Sequence, residues 1–389
     1  MKARLNMIAL TAKWLCTPLE RVEHAVVLLD GPNIARVGPR TNIAIPAGDR
    51  VVDFGDATLV PGFIDIHVHG GAGHDVMQNN ATGLAAFEQL QAKHGVTSYF
   101  PTTVTAPLDA TLAALDRLAS EIESADARPT GRARPLGIHL EGPFLSHARR
   151  GVHPPANLLS PTISLFDRLW QAARGQIRIM TIAPELPGAL EVIAEATRRG
   201  VCVSFGHSDA DLTATEKAIA AGAHHATHTF NAMRPLNHRD PGIIAAVLTD
   251  PRGSADIIAD GIHLDPAIVK LFLKAKGADG AVLITDATAA TGMPDGRYRL
   301  GDFDVDVKDG KCTADGKLAG SVLTMDRAVQ NVMRMAGWEM QDAVRLASLN
   351  PANVTRLPNY GRIEPGSRAD IVVLNSSGKV IQTIAGGAG

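Results

Sequence analysis

Apolar residues in this chain fall into short β-rich runs and longer runs with helical spacing, and the two kinds alternate through its middle. Helix-like segments such as ATGLAAFEQLQAKHG and DLTATEKAIAAG separate most of the short runs, with Gly95 and Gly222 as helix stops. Eight strands that largely alternate with helices over roughly 290 residues predict an α/β protein with a (β/α)8 TIM-like barrel. The eight short runs, in chain order, are FIDIHVHG, VTSYFPTT, LGIHLEGP, IRIMTIAPE, VCVSFGHS, HATHTFNA, ADIIADGIH and AVLITDAT.

A doubly wound parallel sheet is the alternative fold, because it shows almost the same alternation of strands and helices. Its dinucleotide-binding versions carry a G-x-G-x-x-G turn after the first strand. No such glycine pattern follows FIDIHVHG. The barrel is therefore the preferred interpretation.

Both chain ends read as short strands without helices between them. AVVLLDGPNIARVG predicts a hairpin with its turn at residues 30–33, and VVDF and ATLVPG follow it. Near the other end, ADIVVLN and KVIQTI have the same character. We expect a small β-sandwich domain formed from residues 1–58 and 355–389, with the barrel occupying residues 59–354.

Composition and charge narrow the class of partner. The chain has 389 residues, of which 45% are hydrophobic and 20% charged, and a net charge of −2. These values are typical of a globular protein with a sizeable core. The absence of a long basic run argues against nucleic acid as the main partner. A phosphorylated small molecule needs only one or two well-placed cations, so it remains compatible with this charge.

The cysteines and Lys13 indicate the cellular compartment in which we expect the protein. Cys16, Cys202 and Cys312 lie far apart and form no C-x-x-C pair, which predicts neither a disulfide framework nor a cysteine-rich zinc site. Lys13 interrupts the first apolar stretch before it reaches the length of a signal peptide. No window approaches the length of a membrane span, and we expect a cytoplasmic protein.

Histidine and carboxylate residues fall at the ends of the predicted strands. In a barrel the carboxyl ends of the strands converge on one mouth, so residues distant in sequence meet there. Imidazole nitrogens and carboxylate oxygens are the ligand types of hydrolytic zinc or iron sites. The candidates are His67 and His69 closing the first strand, Glu141 the third, His207 the fifth, His228 within the sixth, His263 closing the seventh and Asp286 the eighth.

Spacing supports a shared metal site. Residues two apart on a strand point to the same face, so His67 and His69 can both enter the barrel and bind one ion. His207 and His228 are 21 residues apart, about one β/α unit, which places them on adjacent strands. The alternative for each histidine taken alone is a structural role satisfied by the backbone.

Asp286 follows an apolar strand, where an aspartate is often only the N-cap of the next helix. Its place on the eighth strand, beside the first, favours a catalytic role. A carboxylate near a water activated by a metal can take its proton and later deliver it to a leaving amine.

Other histidines are weaker candidates for the metal site. His139 has the same parity as Glu141 and is expected to point inward one layer deeper, either in the core or supporting the ligands. Five others are expected in loops or at the surface: His24, His94, His147, His153 and His238.

The segments PGFIDIHVHG and GRIEPGSRADIVVL resemble the amidohydrolase superfamily. More narrowly, GIHLEGPF, GHSDA, ATHTFNAM, IIADGIHL and ITDATAATG resemble the N-acetylglucosamine-6-phosphate deacetylase family, in order and across nearly the whole chain. The resemblance implies a metal-dependent barrel that hydrolyses the acetamide of N-acetylglucosamine 6-phosphate to glucosamine 6-phosphate and acetate.

The resemblance also implies a role for individual residues. Glu141, His207 and His228 would be the primary metal ligands, and Asp286 the catalytic acid and base as well as a ligand. His263 would hold or polarise the acetyl carbonyl and stabilise the oxyanion. Substrate contacts are expected from Asn231 and Ala232 at the phosphate, from Arg239 reaching the neighbouring active site across a homodimer interface, and from a loop closing over the sugar at Leu318, Ala319, Gly320 and Ser321.

Because the chain keeps both His67 and His69, we expect capacity for one or two divalent ions per subunit, with Glu141 bridging two of them. IRIMTIAPE offers no lysine for the carboxylated-lysine bridge of many superfamily relatives. Zinc or iron is the expected metal, and cobalt and manganese also suit such ligands. The alternatives are a deacetylase of N-acetylgalactosamine 6-phosphate or of an N-acyl amino acid, or a non-catalytic scaffold; a scaffold need bind no metal.

Overall fold

The computed structural model describes residues 7–388. Residues 1–6 and 389, which the sequence analysis assigns to the terminal β domain, lie outside that part. The chain begins with five strands: β1 (Ile8–Cys16), β2 (Arg21–Asp30), β3 (Asn33–Pro39), β4 (Arg50–Asp53) and β5 (Thr58–Pro61). The predicted hairpin turn is confirmed, because β2 and β3 pair antiparallel across it.

Strands and helices then alternate. The strands are β6 (Phe63–Val68), β7 (Gly70–Gly71), β8 (His74–Asp75), β9 (Val96–Pro101), β10 (Arg134–Pro135), β11 (Ile138–Glu141), β12 (Ile177–Ile182), β13 (Cys202–Phe205), β14 (His225–Ala226), β15 (Ala255–Ile258) and β16 (Ala281–Ile284). The helices are α1 (Ala81–Lys93), α2 (Leu108–Glu123), α3 (Ile163–Ala172), α4 (Ala189–Arg198), α5 (Leu212–Ala220), α6 (Gly242–Thr249) and α7 (Pro266–Gly280). All eight predicted strands are present, as β6, β9 and β11 to β16.

The remaining elements complete the chain. They are β17 (Gly296–Leu300), β18 (Phe303–Lys308), β19 (Lys311–Ala314), β20 (Lys317–Leu318), α8 (Met325–Ala336), α9 (Met340–Ala347), α10 (Leu349–Val354), β21 (Ile371–Leu374) and β22 (Val380–Ile384).

Both chain ends contribute to one seven-stranded sheet. Its order is β22-β21-β5-β1-β2-β3, and β4 also pairs with β1. Alternate residues of β1 pack on opposite faces: Leu10 and Ala12 belong to one apolar cluster, and Ala9 to another. The two strand-rich ends that the sequence analysis grouped together are therefore hydrogen-bonded neighbours.

The eight predicted strands run parallel where they pair. β6 pairs with β9, β11 to β14 form one series, and β15 pairs with β16. Backbone hydrogen bonds connect these groups: Thr103 N donates to His139 O at 3.0 Å, and Thr229 N to Asp256 O at 2.9 Å. Asp286 N donates to His67 O at 2.9 Å and so joins the last strand to the first. The carboxyl ends of the strands thus lie at one edge of the series, where the candidate residues sit.

Local sequence signals explain the helices between these strands. Asp211 caps α5 by accepting a hydrogen bond from Ala214 N at 2.7 Å, as an N-terminal aspartate should. Gly222 follows the helix with φ 115°, a conformation open to glycine at little cost. Gly95 ends α1 in the same way, with φ 85°. Both predicted helix stops are confirmed.

A four-stranded antiparallel sheet, β17 to β20, was not predicted. It lies between β16 and α8, and it packs through Leu300, Val305 and Val307 against Val104. Gly301 N donates to Asp75 Oδ2 at 2.8 Å, which attaches this sheet to the β7–β8 hairpin. Its edges therefore come to lie beside the candidate site. No helix within residues 7–388 is long and apolar enough to cross a membrane.

Candidate metal centre and active site

Glu141, the last residue of β11, lies between two pairs of histidines. Its Oε1 atom is 3.1 Å from His228 Nε2 and 3.3 Å from His207 Nε2. Its Oε2 atom is 3.4 Å from His69 Nε2 and 3.6 Å from His67 Nε2. One carboxylate oxygen therefore faces each pair, which is the arrangement expected of a bridging ligand.

The candidate ligands form two compact groups. In each group the three potential ligand atoms lie within 4.8 Å of one another, and all six residues are buried. One group includes Asp286, whose Oδ1 atom is 3.1 Å from His69 Nε2. The groups are Glu141, His207 and His228, and His67, His69 and Asp286.

The electrostatics of these groups fit a bound cation. The paired ring nitrogens approach each other closely, at 3.2 Å between His67 and His69 and at 3.1 Å between His207 and His228. Burial alone would lower the pKa of His69, but Asp286 and Glu141 raise it to about 9. Burial would likewise lower the pKa of His228, and Glu141 raises it to about 9. The buried carboxylates therefore stabilise positive charge on the neighbouring histidines. Bound divalent ions would supply that positive charge in place of the histidine protons.

The surroundings of Asp286 favour its ionised carboxylate form. Burial by itself would raise its pKa, but the charge on His67 and the hydrogen bond with His69 outweigh burial and hold it below its usual range. The residue is 7% exposed and lines the cavity above the two groups. It can therefore accept a proton from a water molecule in this cavity.

His263 reaches the cavity from the loop that precedes α7, and Asp260 orients its ring. His263 Nδ1 lies 2.7 Å from Asp260 Oδ2. Burial alone would raise the pKa of Asp260, but the hydrogen bond with His263 holds it below its usual value. The pairing leaves Nε2 as the His263 ring nitrogen that a ligand in the cavity can contact.

Four sequence predictions about position in the strands need correction. His228 was placed within the sixth strand, but β14 ends at Ala226 and His228 lies two residues beyond it. His263 was said to close the seventh strand, yet β15 ends at Ile258. His207 and Asp286, predicted to close the fifth and eighth strands, likewise lie two residues beyond the ends of β13 and β16. All four residues therefore lie in the loops that follow their strands.

Several residues of the site adopt the left-handed backbone conformation. His207, His228 and Asp286 have φ values of 47°, 33° and 51°. This conformation costs energy in residues other than glycine, and it persists where surrounding contacts enforce it, often at functional sites. The strained backbone turns the three side chains sharply at the strand ends, towards Glu141 and His69.

A single cavity brings most of the predicted substrate contacts together with the metal groups. Residues from both sets line it: His69, Glu141, His207, His228, Asp286, His263, Asn231, Ala232, Leu318 and Gly320. His67 is fully buried beneath it. Ala319 and Ser321 do not line the cavity, because they alternate with Leu318 and Gly320: Ala319 packs beside Cys312, and Ser321 Oγ donates to Thr285 O at 2.6 Å.

Arg239 is exposed in the loop before α6 and does not line this cavity. Its backbone N–H donates to Asn237 Oδ1 at 2.9 Å. The residue is therefore accessible on the surface of the single chain described here.

His153 was expected in a loop or at the surface. It lies in a loop, but it is only 3% exposed and lines the cavity. Its Nδ1 atom is 2.8 Å from Thr105 Oγ1, and its Nε2 atom is 3.6 Å from Glu141 Oε2. The signal that could have found it is its position in the loop after the third strand, since the loops at the carboxyl ends of barrel strands build the site.

His139 lies one layer below the ligands, as its parity predicted. Its Nδ1 atom is 2.8 Å from Ile66 O, and its Nε2 atom is 2.7 Å from Thr181 Oγ1. Its ring contacts that of His67 at 4.6 Å between centroids. It therefore supports His67 from below.

The sequence profile of the amidohydrolase family matches residues 58–388. The chain therefore belongs to the amidohydrolase family, whose members are metal-dependent enzymes.

Individual relatives are more specific. N-acetylglucosamine-6-phosphate deacetylase of Lysinibacillus sphaericus is 38% identical over 331 residues, covering 85% of this chain and 84% of the relative. N-acetylgalactosamine-6-phosphate deacetylase of Escherichia coli O157:H7 is 39% identical over 356 residues, covering 91% of each. Among solved structures, a mutant of N-acetyl-D-glucosamine-6-phosphate deacetylase from Mycobacterium smegmatis, in complex with N-acetyl-D-glucosamine-6-phosphate, has a TM-score of 0.91. It is 36% identical and covers 99% of both chains.

Proposed function

We propose that this protein hydrolyses the acetamide of N-acetylglucosamine 6-phosphate to glucosamine 6-phosphate and acetate. The observation that carries the proposal is the joining of two buried histidine–carboxylate groups through Glu141, in one cavity with Asp286 and His263. The relatives that share most of the chain bear the names of deacetylases of N-acetylated sugar phosphates.

The two groups would hold one or two divalent ions, with Glu141 between them. Ions bound there would supply Lewis acidity, which activates water and polarises the amide carbonyl. Nitrogen and oxygen ligands of this kind suit zinc or iron, and cobalt or manganese would also fit.

The side chains of the cavity would perform the proton transfers. Asp286 would accept the proton of the attacking water and deliver it to the amine nitrogen as the C–N bond breaks. His263 would donate a hydrogen bond from Nε2 to the carbonyl oxygen as negative charge develops on it. The Asp260 carboxylate at Nδ1 would orient the ring for this contact.

The phosphate would bind at the opposite end of the cavity from the acetamide. Asn231 and Ala232, which follow His228 and line the cavity, are the proposed contacts within the chain. Leu318 and Gly320 would cover the sugar. Arg239 would complete the phosphate site of a neighbouring subunit in a homodimer, since it is exposed and lies outside the cavity of its own chain.

We also infer that the eight parallel strands close into a (β/α)8 barrel. The hydrogen bond from Asp286 N to His67 O supports closure, because it links the last strand to the first. The terminal sheet would form a separate small β domain from residues 1–58 and 355–389, around a barrel of residues 59–354.

The direct test is acetate release from three compounds, with and without added divalent metal. We expect metal-dependent turnover of N-acetylglucosamine 6-phosphate, and far slower turnover of unphosphorylated N-acetylglucosamine because it lacks the phosphate contacts. Absence of turnover in a protein that demonstrably binds metal would refute the substrate and retain the metal centre.

The third compound is N-acetylgalactosamine 6-phosphate, which addresses the second candidate function. The 39% identity to a relative named for that substrate, over 91% of both chains, favours including it. A higher kcat/KM for the galacto epimer would reassign the substrate, while the reaction and the site would stay the same.

Replacing Arg239 with alanine tests the phosphate site and the dimer together. We expect KM for the phosphorylated substrate to rise about tenfold or more, because a guanidinium–phosphate ion pair is lost, with little change for unphosphorylated N-acetylglucosamine. Arg252→Ala is the matched control, since Arg252 is exposed but pairs with Asp250. Unchanged KM in Arg239→Ala, or a strictly monomeric active protein, would contradict the assignment.

A further inference from the structure

The four histidines of the two metal groups are not held in the same way. His69 Nδ1 lies 3.0 Å from Thr102 O, and His207 Nδ1 lies 3.0 Å from Arg149 O. In both residues the ring N–H donates to a backbone carbonyl, which fixes the ring orientation and leaves Nε2 free for a metal. A hydrogen bond of this kind is the usual support of a metal-binding histidine.

His67 and His228 lack that support. Their Nδ1 atoms are buried and have no hydrogen-bond partner within residues 7–388. Instead, the backbone amide of each donates to a buried carboxylate. His67 N lies 3.3 Å from Asp65 Oδ1, and His228 N donates to Asp256 Oδ1. Each metal group therefore contains one histidine held through its ring and one held through its backbone.

Asp256 is fully buried, and both hydrogen bonds of its side chain are made with the segment that carries His228. Its Oδ2 atom is 2.9 Å from His225 Nε2, and its backbone carbonyl accepts from Thr229 N at 2.9 Å. His225 is held in turn by Ser254 Oγ, 2.7 Å from its Nδ1. The segment is thus fixed on both sides of His228, whose φ of 33° is strained.

We propose that Asp256 is a positioning residue for the Glu141–His207–His228 group, fixing the backbone of His228 so that its imidazole faces Glu141. Within residues 7–388, His228 Nδ1 has no hydrogen-bond partner that would fix the ring from outside the metal group, so the direction of the ring depends on the backbone. Without the carboxylate, the strained backbone of His228 can relax to a more ordinary conformation and carry Nε2 away from Glu141. This inference rests on the proposed function in one respect, namely that the group binds a divalent ion.

Asp65 offers a matched comparison, because it makes the same kind of contact to the backbone of His67 in the other group. The two carboxylates should therefore act selectively. Loss of Asp256 should weaken binding at the Glu141–His207–His228 group, and loss of Asp65 at the His67–His69–Asp286 group. A general loss of stability would instead weaken both groups together.

The experiment uses Co²⁺ titration of the metal-free full-length protein, followed by its visible absorption and by elemental analysis. The variants are Asp256→Ala and Asp65→Ala, which remove the side-chain oxygens that accept from the backbone of His228 and His67. Two ligand deletions serve as spectral references: His207→Ala for the first group and His69→Ala for the second. Thermal unfolding of each metal-free variant shows that it is folded before titration.

We expect Asp256→Ala to weaken one Co²⁺ site by about 10- to 100-fold, as losses of supporting contacts do at other metal sites. Its remaining spectrum should match that of His207→Ala, and the spectrum of Asp65→Ala that of His69→Ala. Binding of two ions by Asp256→Ala with wild-type affinity, or equal weakening of both sites, would overturn the inference and leave the proposed function standing. Failure of the wild-type chain to bind Co²⁺ would overturn the metal centre as well.

If Asp256→Ala does not fold, His225→Gln provides the second measurement, because it removes the other partner of the Asp256 carboxylate. A smaller weakening confined to the same Co²⁺ site is expected there. Unchanged Co²⁺ binding in a folded His225→Gln would then count against the inference.

Discussion

Replacement of Asp286 by asparagine is expected to lower kcat for acetate release by roughly 10²- to 10⁴-fold, the range that general acid–base groups contribute. Asparagine cannot accept the proton of the attacking water, and it cannot deliver one to the amine. Its side-chain oxygen can still approach His69, which lies 3.1 Å from Asp286 Oδ1. Metal content should therefore stay near the wild-type value while turnover falls.

The measurement is steady-state kinetics beside elemental analysis of the same preparation. Asp370→Asn is the matched control, because Asp370 is also buried but pairs with Arg368 beside the terminal sheet. We expect wild-type turnover from that control. Near-normal activity in Asp286→Asn would exclude Asp286 as the proton-transfer group, and loss of metal in parallel with activity would assign it a ligand role alone.

The strand pattern and the candidate ligands could be predicted from the sequence because each depends on short-range order. Parity on a strand places His67 and His69 on one face, and the same rule places His139 beneath Glu141. Because the carboxyl ends of the parallel strands lie at one edge, Glu141, His69 and Asp286 line the same cavity. Most of the candidate ligands could therefore be predicted from strand propensity and from the common edge at which the strands end.

The parts that could not be predicted are set by loops, where periodicity gives no information. His228 and His263 lie beyond their strands, in segments whose direction depends on contacts such as Asp256 with His228 and Asp260 with His263. His153 reaches Glu141 only because its loop folds back over the cavity.

The β17–β20 sheet is a different case, because its signals were present in the sequence. Residues 296–318 contain stretches in which apolar and polar positions alternate. Asp-Gly pairs at 309–310 and 315–316 separate these stretches, a pattern typical of hairpins. The structure shows that this sheet, and not a simple loop, brings Leu300 and Leu318 to the cavity.

The second large effect is expected from Glu141→Gln, which should impair both metal groups at once. The carboxylate directs Oε1 to His207 and His228, and Oε2 to His67 and His69. Glutamine has one carbonyl oxygen and one NH₂ group, so at most one histidine pair keeps an oxygen ligand beside it. The other pair would face hydrogen-bond donors, and both groups would lose the negative charge that Glu141 contributes.

Metal affinity should therefore fall at least about 100-fold at one group and more modestly at the other, since changes in supporting contacts alone cost 10- to 100-fold. The readout is the rise in Tm on adding excess metal, because a ligand that binds only the folded state stabilises it by an amount that grows with the logarithm of its affinity. The wild-type Tm should rise clearly, and that of Glu141→Gln should rise little. Acetate release should fall with metal content and recover only in part at high metal concentration.

Glu88→Gln is the matched control, because Glu88 is equally buried but pairs with Arg128 and Tyr99 away from the cavity. Its metal-induced rise in Tm should equal that of the wild type, even if its baseline Tm is lower. A Glu141→Gln protein that bound two ions with wild-type affinity would show that the two groups are independent of the carboxylate between them. Loss of affinity at one group, with wild-type affinity kept at the other, would make Glu141 a ligand of one group and not a bridge.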